Sequence, residues 1–225
     1  MRAGIDRCKK LQAWRVHQAE RMTSTSLAAP PLAAPTATRV FVVLVVWFSV
    51  LLGLGVGGLI DHLPPLAVPV GLIGSTAALV LAHRGSAPLR AWVRALDVRM
   101  LVGYHVLRAP IGLWFLMAYR SGELPGELAL RAGWGDILCG LLALVVLPLG
   151  LARARDRKLL WAWNLLGTLD ILMVVLTAQK LILFDDAVGM RDAIGYPFVL
   201  LPWFVVPLVL VTHALVFARL RAASR

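Results

Sequence analysis

Cysteine is nearly absent: Cys8 and Cys139 are the two thiols in 225 residues. One falls in a basic N-terminal tail and the other inside an apolar stretch. They lie at different levels, so no disulfide is expected, and neither has metal-ligand spacing around it. The signatures of common hydrolytic and nucleotide chemistry are missing too. No nucleophile elbow, phosphate loop, HExxH or paired-carboxylate hydrolase motif occurs. Charge is sparse, at 16% of the chain, and unequal in sign, with 23 Lys and Arg against 12 Asp and Glu. A formal charge of +11 would fit nucleic acid, but the placement of the basic residues argues against it.

What fills the chain is hydrocarbon. Sixty per cent of residues are hydrophobic and the mean hydropathy is +0.79, where ordinary globular chains are about half apolar. A soluble domain of this composition would expose large adhesive patches. Six apolar segments are expected to span a membrane: residues 40–60, 66–82, 100–119, 133–152, 159–183 and 196–218. Most reach the roughly 20 residues that a hydrocarbon core of about 30 Å requires.

The connections between them alternate in charge. Seven basic residues precede the first span, four lie between the second and third, four between the fourth and fifth, and three follow the sixth. The opposite connections hold Asp61, Glu123, Glu127, Asp185, Asp186 and Asp192, with Arg120, Arg131 and Arg191. The positive-inside rule then places both termini in the cytoplasm. The expected fold is an all-α bundle of six transmembrane helices, N-in and C-in, over residues 39–221. Residues 1–38 read as a flexible basic tail whose true start is Met1 or Met22, and residues 222–225 as the tail end.

A short amphipathic helix is expected on the cytoplasmic leaflet. Leu89, Trp92, Val93 and Leu96 repeat at helical spacing, while Arg90 and Arg94 lie elsewhere around it. Trp92, Arg90 and Arg94 would meet anionic lipid. Gly53 and Gly57, four apart on the first span, read as a close-packing pair. Pro125 is expected to open a short separate helix in the connection 121–132. Pro197, Pro202 and Pro207 should bend the sixth span.

Ionisable groups inside the spans carry the functional question, because burying charge in lipid is expensive. At about 1.5 Å per residue, Arg108 lies roughly 12 Å in from the cytoplasmic side, Asp170 roughly 16 Å, and His105, Asn164 and His213 roughly 8 Å. Three spans thus place polar groups in the inner half. One reading is an Arg108–Asp170 ion pair that fixes two helices together. The other is a small-molecule pocket of Arg108, Asp170, His105, Asn164 and His213, in a permease-like protein or a sensor, with Asp170 orienting the ligand or carrying a proton. Asn164 and Asp170 point about 120° apart around their helix, which weakens a single tight cluster. His105 and His213, at matching depth, raise bis-imidazole haem ligation and a membrane enzyme or haem/quinone electron carrier as an alternative. An assembly subunit, as a homo-oligomer or with a membrane-complex partner, is a third. Asp136, after Gly133-Trp134-Gly135, reads as a first-turn cap of the fourth span, or as an outer-face site with Arg131.

Arg108 with Gly112 and Leu113-Trp114-Phe115-Leu116, Gly122-Glu123-Leu124-Pro125, Ala132-Gly133-Trp134-Gly135-Asp136, and Trp163-Asn164 with Gly167 and Asp170 resemble a family of small uncharacterised bacterial inner-membrane proteins. The resemblance covers roughly residues 100–220. It implies a bacterial inner membrane and brings no activity, cofactor or catalytic residue.

Overall fold

The computed structural model of the chain describes residues 33–60, 62–185, 190, 195, 196 and 198–224. Most of the expected basic tail lies outside these residues, as do Asp61, Asp186, Arg191, Asp192 and Pro197. Among the described residues the secondary structure is entirely helical. Six helical segments are long and apolar enough to cross a membrane. The chain is an all-α, multi-pass membrane protein.

Helix α1 (Ala33–Val56) takes in the last residues of the expected tail, with Pro35 in its first turn. Proline is at home there because the first amides of a helix have no internal partner. Helix α2 (Ala67–Gly85) follows the tight Pro64-Pro65 hairpin and returns to the basic end. Ser86 ends α2 and begins α3 (Ala87–Ala95), its hydroxyl accepting from the Leu89 amide at 3.3 Å. This short helix presents Val93 inward and leaves Arg94 exposed. Arg219 fastens it from the other end of the chain, donating to the Val93 carbonyl at 2.6 Å and the Leu96 carbonyl at 3.3 Å.

Asp97 caps α4 (Val98–Tyr104). A single 3-10 turn, His105–Leu107, then leads into α5 (Arg108–Arg120). Pro110 accounts for the tightening. It has no N–H to offer the carbonyl one turn back, so the regular ladder breaks just before it. The turn falls where two polar side chains, His105 and Arg108, enter the bundle.

The next helix, α6 (Gly126–Val146), begins seven residues earlier than the apolar run predicts. The short helix expected after Pro125 is the first turns of α6 itself. Glu127 and Arg131 therefore lie on the helix, paired at 3.6 Å. Helix α7 (Ala154–Leu183) is the longest, at 30 residues. The last span opens with a π turn, Leu201–Val205, and continues as α8 (Val206–Ala223). Pro202 sits in the π turn and Pro207 in the first turn of α8, so the expected bend is an inserted residue in the helical ladder.

Glycine at helix crossings sets the spacing of the bundle. A Cβ on Gly112 would lie 2.8 Å from the Ile137 amide, and one on Gly140 would lie 2.8 Å from the Ala109 methyl. Together they bring α5 and α6 into backbone contact. The Gly53–Gly57 pair does not behave this way. Gly53 has nothing within 4 Å, and a Cβ on Gly57 would meet the backbone of its own helix. On α1 it is Gly55 that packs, against Val199.

Besides a cluster of Leu51, Ile60, Val199 and Trp203 that seats α1, two apolar layers result. One, around Val98, Leu101, Leu160, Val216 and Leu220, lies at the basic end. The other, around Phe115, Leu128, Val174 and Phe198, fills the far half. Between them each of α5, α6, α7 and α8, or the turn preceding it, contributes polar groups.

Candidate functional site

Arg108 begins α5 and is buried to 2% exposure. Lipid cannot solvate a guanidinium, so its nitrogens need protein acceptors. Its Nε donates to Asp136 Oδ1 of α6 at 2.6 Å, and its Nη1 to the Gly167 carbonyl of α7 at 3.2 Å. Its Nη2 donates to Asp170 Oδ2, also on α7. One residue therefore ties three helices through its planar fork, a geometry that lysine could not reproduce.

Asp136 is the surprise. It is buried on the third turn of α6, so it neither caps the helix nor forms an outer-face site with Arg131. Arg131 stays at the far end, half-exposed, beside Glu127 and 3.4 Å from the Thr177 hydroxyl. The reason lies in Gly133 and Gly135, which are contact points with the neighbouring helices. Gly133 packs on Leu116 and the Gly112 carbonyl of α5, and Gly135 lies directly against the Asp170 carboxylate. Larger residues at either position would push the second carboxylate away from Arg108.

The remaining predicted residues form a second group alongside. Asn164 and His213 make two hydrogen bonds: Asn164 Nδ2 donates to the His213 carbonyl at 3.1 Å, and Asn164 Oδ1 lies 2.8 Å from His213 Nδ1. His105 Nε2 is 3.1 Å from the Thr212 hydroxyl. The two imidazoles pack on each other with centroids 4.1 Å apart, tilted by 38°. Trp163 closes this group from the side, edge-on to His105, and donates to the Cys139 carbonyl at 3.2 Å. Trp161 faces away, against Phe217.

Gly167 joins the two groups. A Cβ there would lie 2.7 Å from His213 Cε1 and 3.4 Å from Arg108 Nη1. The different headings of Asn164 and Asp170 thus serve two neighbouring clusters, one around His213 and one around Arg108. Two ring nitrogens, His105 Nδ1 and His213 Nε2, have no hydrogen-bond partner among the described residues. Bis-imidazole haem ligation does not fit here, because the macrocycle must stand between its two ligands and these rings are in direct contact. No group of three or more His, Cys, Asp or Glu among the described residues could hold a metal ion.

The fold and this cluster define a class: multi-pass helical membrane proteins with a buried, ion-paired polar centre. The chain belongs to the family described as Domain of unknown function (DUF8737), whose model matches residues 65–221. That range takes in α2 to α8 with the whole polar cluster and leaves out α1. No curated protein and no solved structure matches the chain.

Proposed function

We propose that this chain is a permease-like protein of a bacterial inner membrane, whose central cluster carries an exchangeable proton linked to movement of a small molecule. The observation that carries the reading is the charge count around Arg108. One guanidinium faces two carboxylates, and all three are buried. With both carboxylates ionised, one negative charge is left uncompensated, at a cost of several kcal/mol. A proton held in the cluster removes that charge. Ionisable residues that face the interior of a membrane bundle are characteristic of proton relays. His105 and His213, each with an unengaged ring nitrogen, extend the polar path from Arg108 toward the basic end. An anionic ligand on Arg108 is less favoured, since it would have to displace a carboxylate already bonded there.

Infrared spectroscopy of the protein in lipid bilayers tests the proton directly. The expected result is a carboxylic-acid C=O stretch at neutral pH that shifts or disappears in Asp136→Asn or Asp170→Asn. Proteoliposomes loaded with a pH-sensitive dye should show proton flux that the same variants abolish.

A second reading has its own support: all three guanidinium nitrogens are engaged, as expected of a lock between helices. The triple variant Arg108→Met, Asp136→Leu, Asp170→Leu separates the two. A lock replaced by packed hydrocarbon keeps stability and cellular phenotype. A proton carrier keeps the fold and loses the flux. Absence of both the acid band and the flux would leave the lock as the sole role.

A further inference from the structure

One helical turn beyond Asp170 toward the far end, the apolar layer is incomplete. A partly enclosed cavity of about 80 Å³ opens among α2, α5, α6, α7 and the start of the last span. Leu72, Phe115, Val174, Ala178, Gln179 and Pro202 are among its walls. A single water needs about 10–15 Å³, and apolar cavities stay dry and accept apolar guests. The lining contains no Asp, Glu, Lys or Arg among the described residues.

Two features distinguish this space from a packing defect. Gln179 Oε1 is buried at the cavity wall with no hydrogen-bond partner among the described residues. An amide carbonyl in that state costs about 1–3 kcal/mol until a donor reaches it. The wall also includes the π turn, through Leu201 and Pro202, a winding that recurs at functional sites.

We infer that this cavity binds a neutral amphiphile: an alcohol whose hydroxyl donates to Gln179 Oε1 and whose apolar body runs inward along α7. Inward of Gln179 the wall runs to Val174, so at the helical rise the body is about 7.5 Å long. Charge argues for neutrality. Two basic groups next in sequence or one turn along from lining residues are matched, Lys180 with Glu127 at 3.4 Å and Asp185 at 3.2 Å, and Arg131 with Glu127. No described lining residue is a cation that could hold a carboxylate or a phosphate. The site stands apart from the proton held at Arg108 and does not depend on it.

Photolabelling of the full chain in lipid nanodiscs with a diazirine derivative of octanol tests the site. Labelled residues should cluster on Val174, Ala178 and their neighbours across the cavity. Unlabelled octanol should compete, octane about tenfold less well for want of the hydrogen bond, and octanoate should not. Gln179→Leu should weaken competition about tenfold, the loss of one hydrogen bond. Ala178→Trp should fill the space and abolish labelling. Gln179→Leu provides the readout if the tryptophan variant fails to fold. Equal competition by octane would show a hole filled by any hydrocarbon, and preferred competition by octanoate an anion site. Either result, or labelling spread along the lipid-facing helices, overturns the inference.

Discussion

At the scale of single residues, Arg108 is buried and held by three hydrogen bonds to two neighbouring helices. Its removal leaves two carboxylates and a backbone carbonyl buried without their donor. Arg108→Ala should therefore cost about 3–5 kcal/mol, measured as a fall in unfolding midpoint in mild detergent. Arg108→Lys should recover only part of this, because a point ammonium cannot reach three acceptors on two helices at once. Equal stability of wild type and Arg108→Lys would show that the fork geometry is unimportant. Arg108 and Asp170 were legible in the sequence because each interrupts a long apolar run. His105, Asn164 and His213 were legible by depth. Asp136 was not, since the glycines before it imitate the start of a helix. Thr212 and the Gly167 carbonyl left no signal, because a hydroxyl and a backbone oxygen are ordinary in any helix.

At the scale of elements, glycines divide into those that meet another helix and those that do not. Gly140→Leu drives a side chain into Ala109 of α5 and should destabilise by about 1–3 kcal/mol through overpacking. Gly53→Ala enters open space and should stay within about 0.5 kcal/mol of wild type. Thermal unfolding of the two variants side by side checks the contrast. The four-residue spacing on α1 pointed to the wrong pair because spacing reports which residues share a helix face. It does not report whether a neighbour covers that face, and α1 keeps much of its surface outward, with Phe41 at 68% exposure. The six membrane-spanning segments followed directly from apolar run length. The start of α6 did not, because Glu127 and Arg131 satisfy each other on a helix surface while reading as loop charges in a string of letters.

For the whole molecule, the alternation of basic and acidic connections predicts a topology that reporter fusions can read. Fusions after residue 122 should report the outer side, and those after residues 153 and 225 the cytoplasm. A reporter at 153 found outside would reverse the bundle and move the Arg108 cluster to the outer half. Composition, apolar run length and the clustering of Lys and Arg already determined an all-α, six-span membrane protein with a polar centre, because lipid admits only structures that satisfy their own backbone. Only the tertiary structure decided the membership of that centre. Helix packing through Gly112, Gly133 and Gly135 brings Asp136 from one helix and Asp170 from another onto the same guanidinium. Such a meeting of side chains depends on how close three backbones can approach, a distance between helices that the order of residues along one chain does not state.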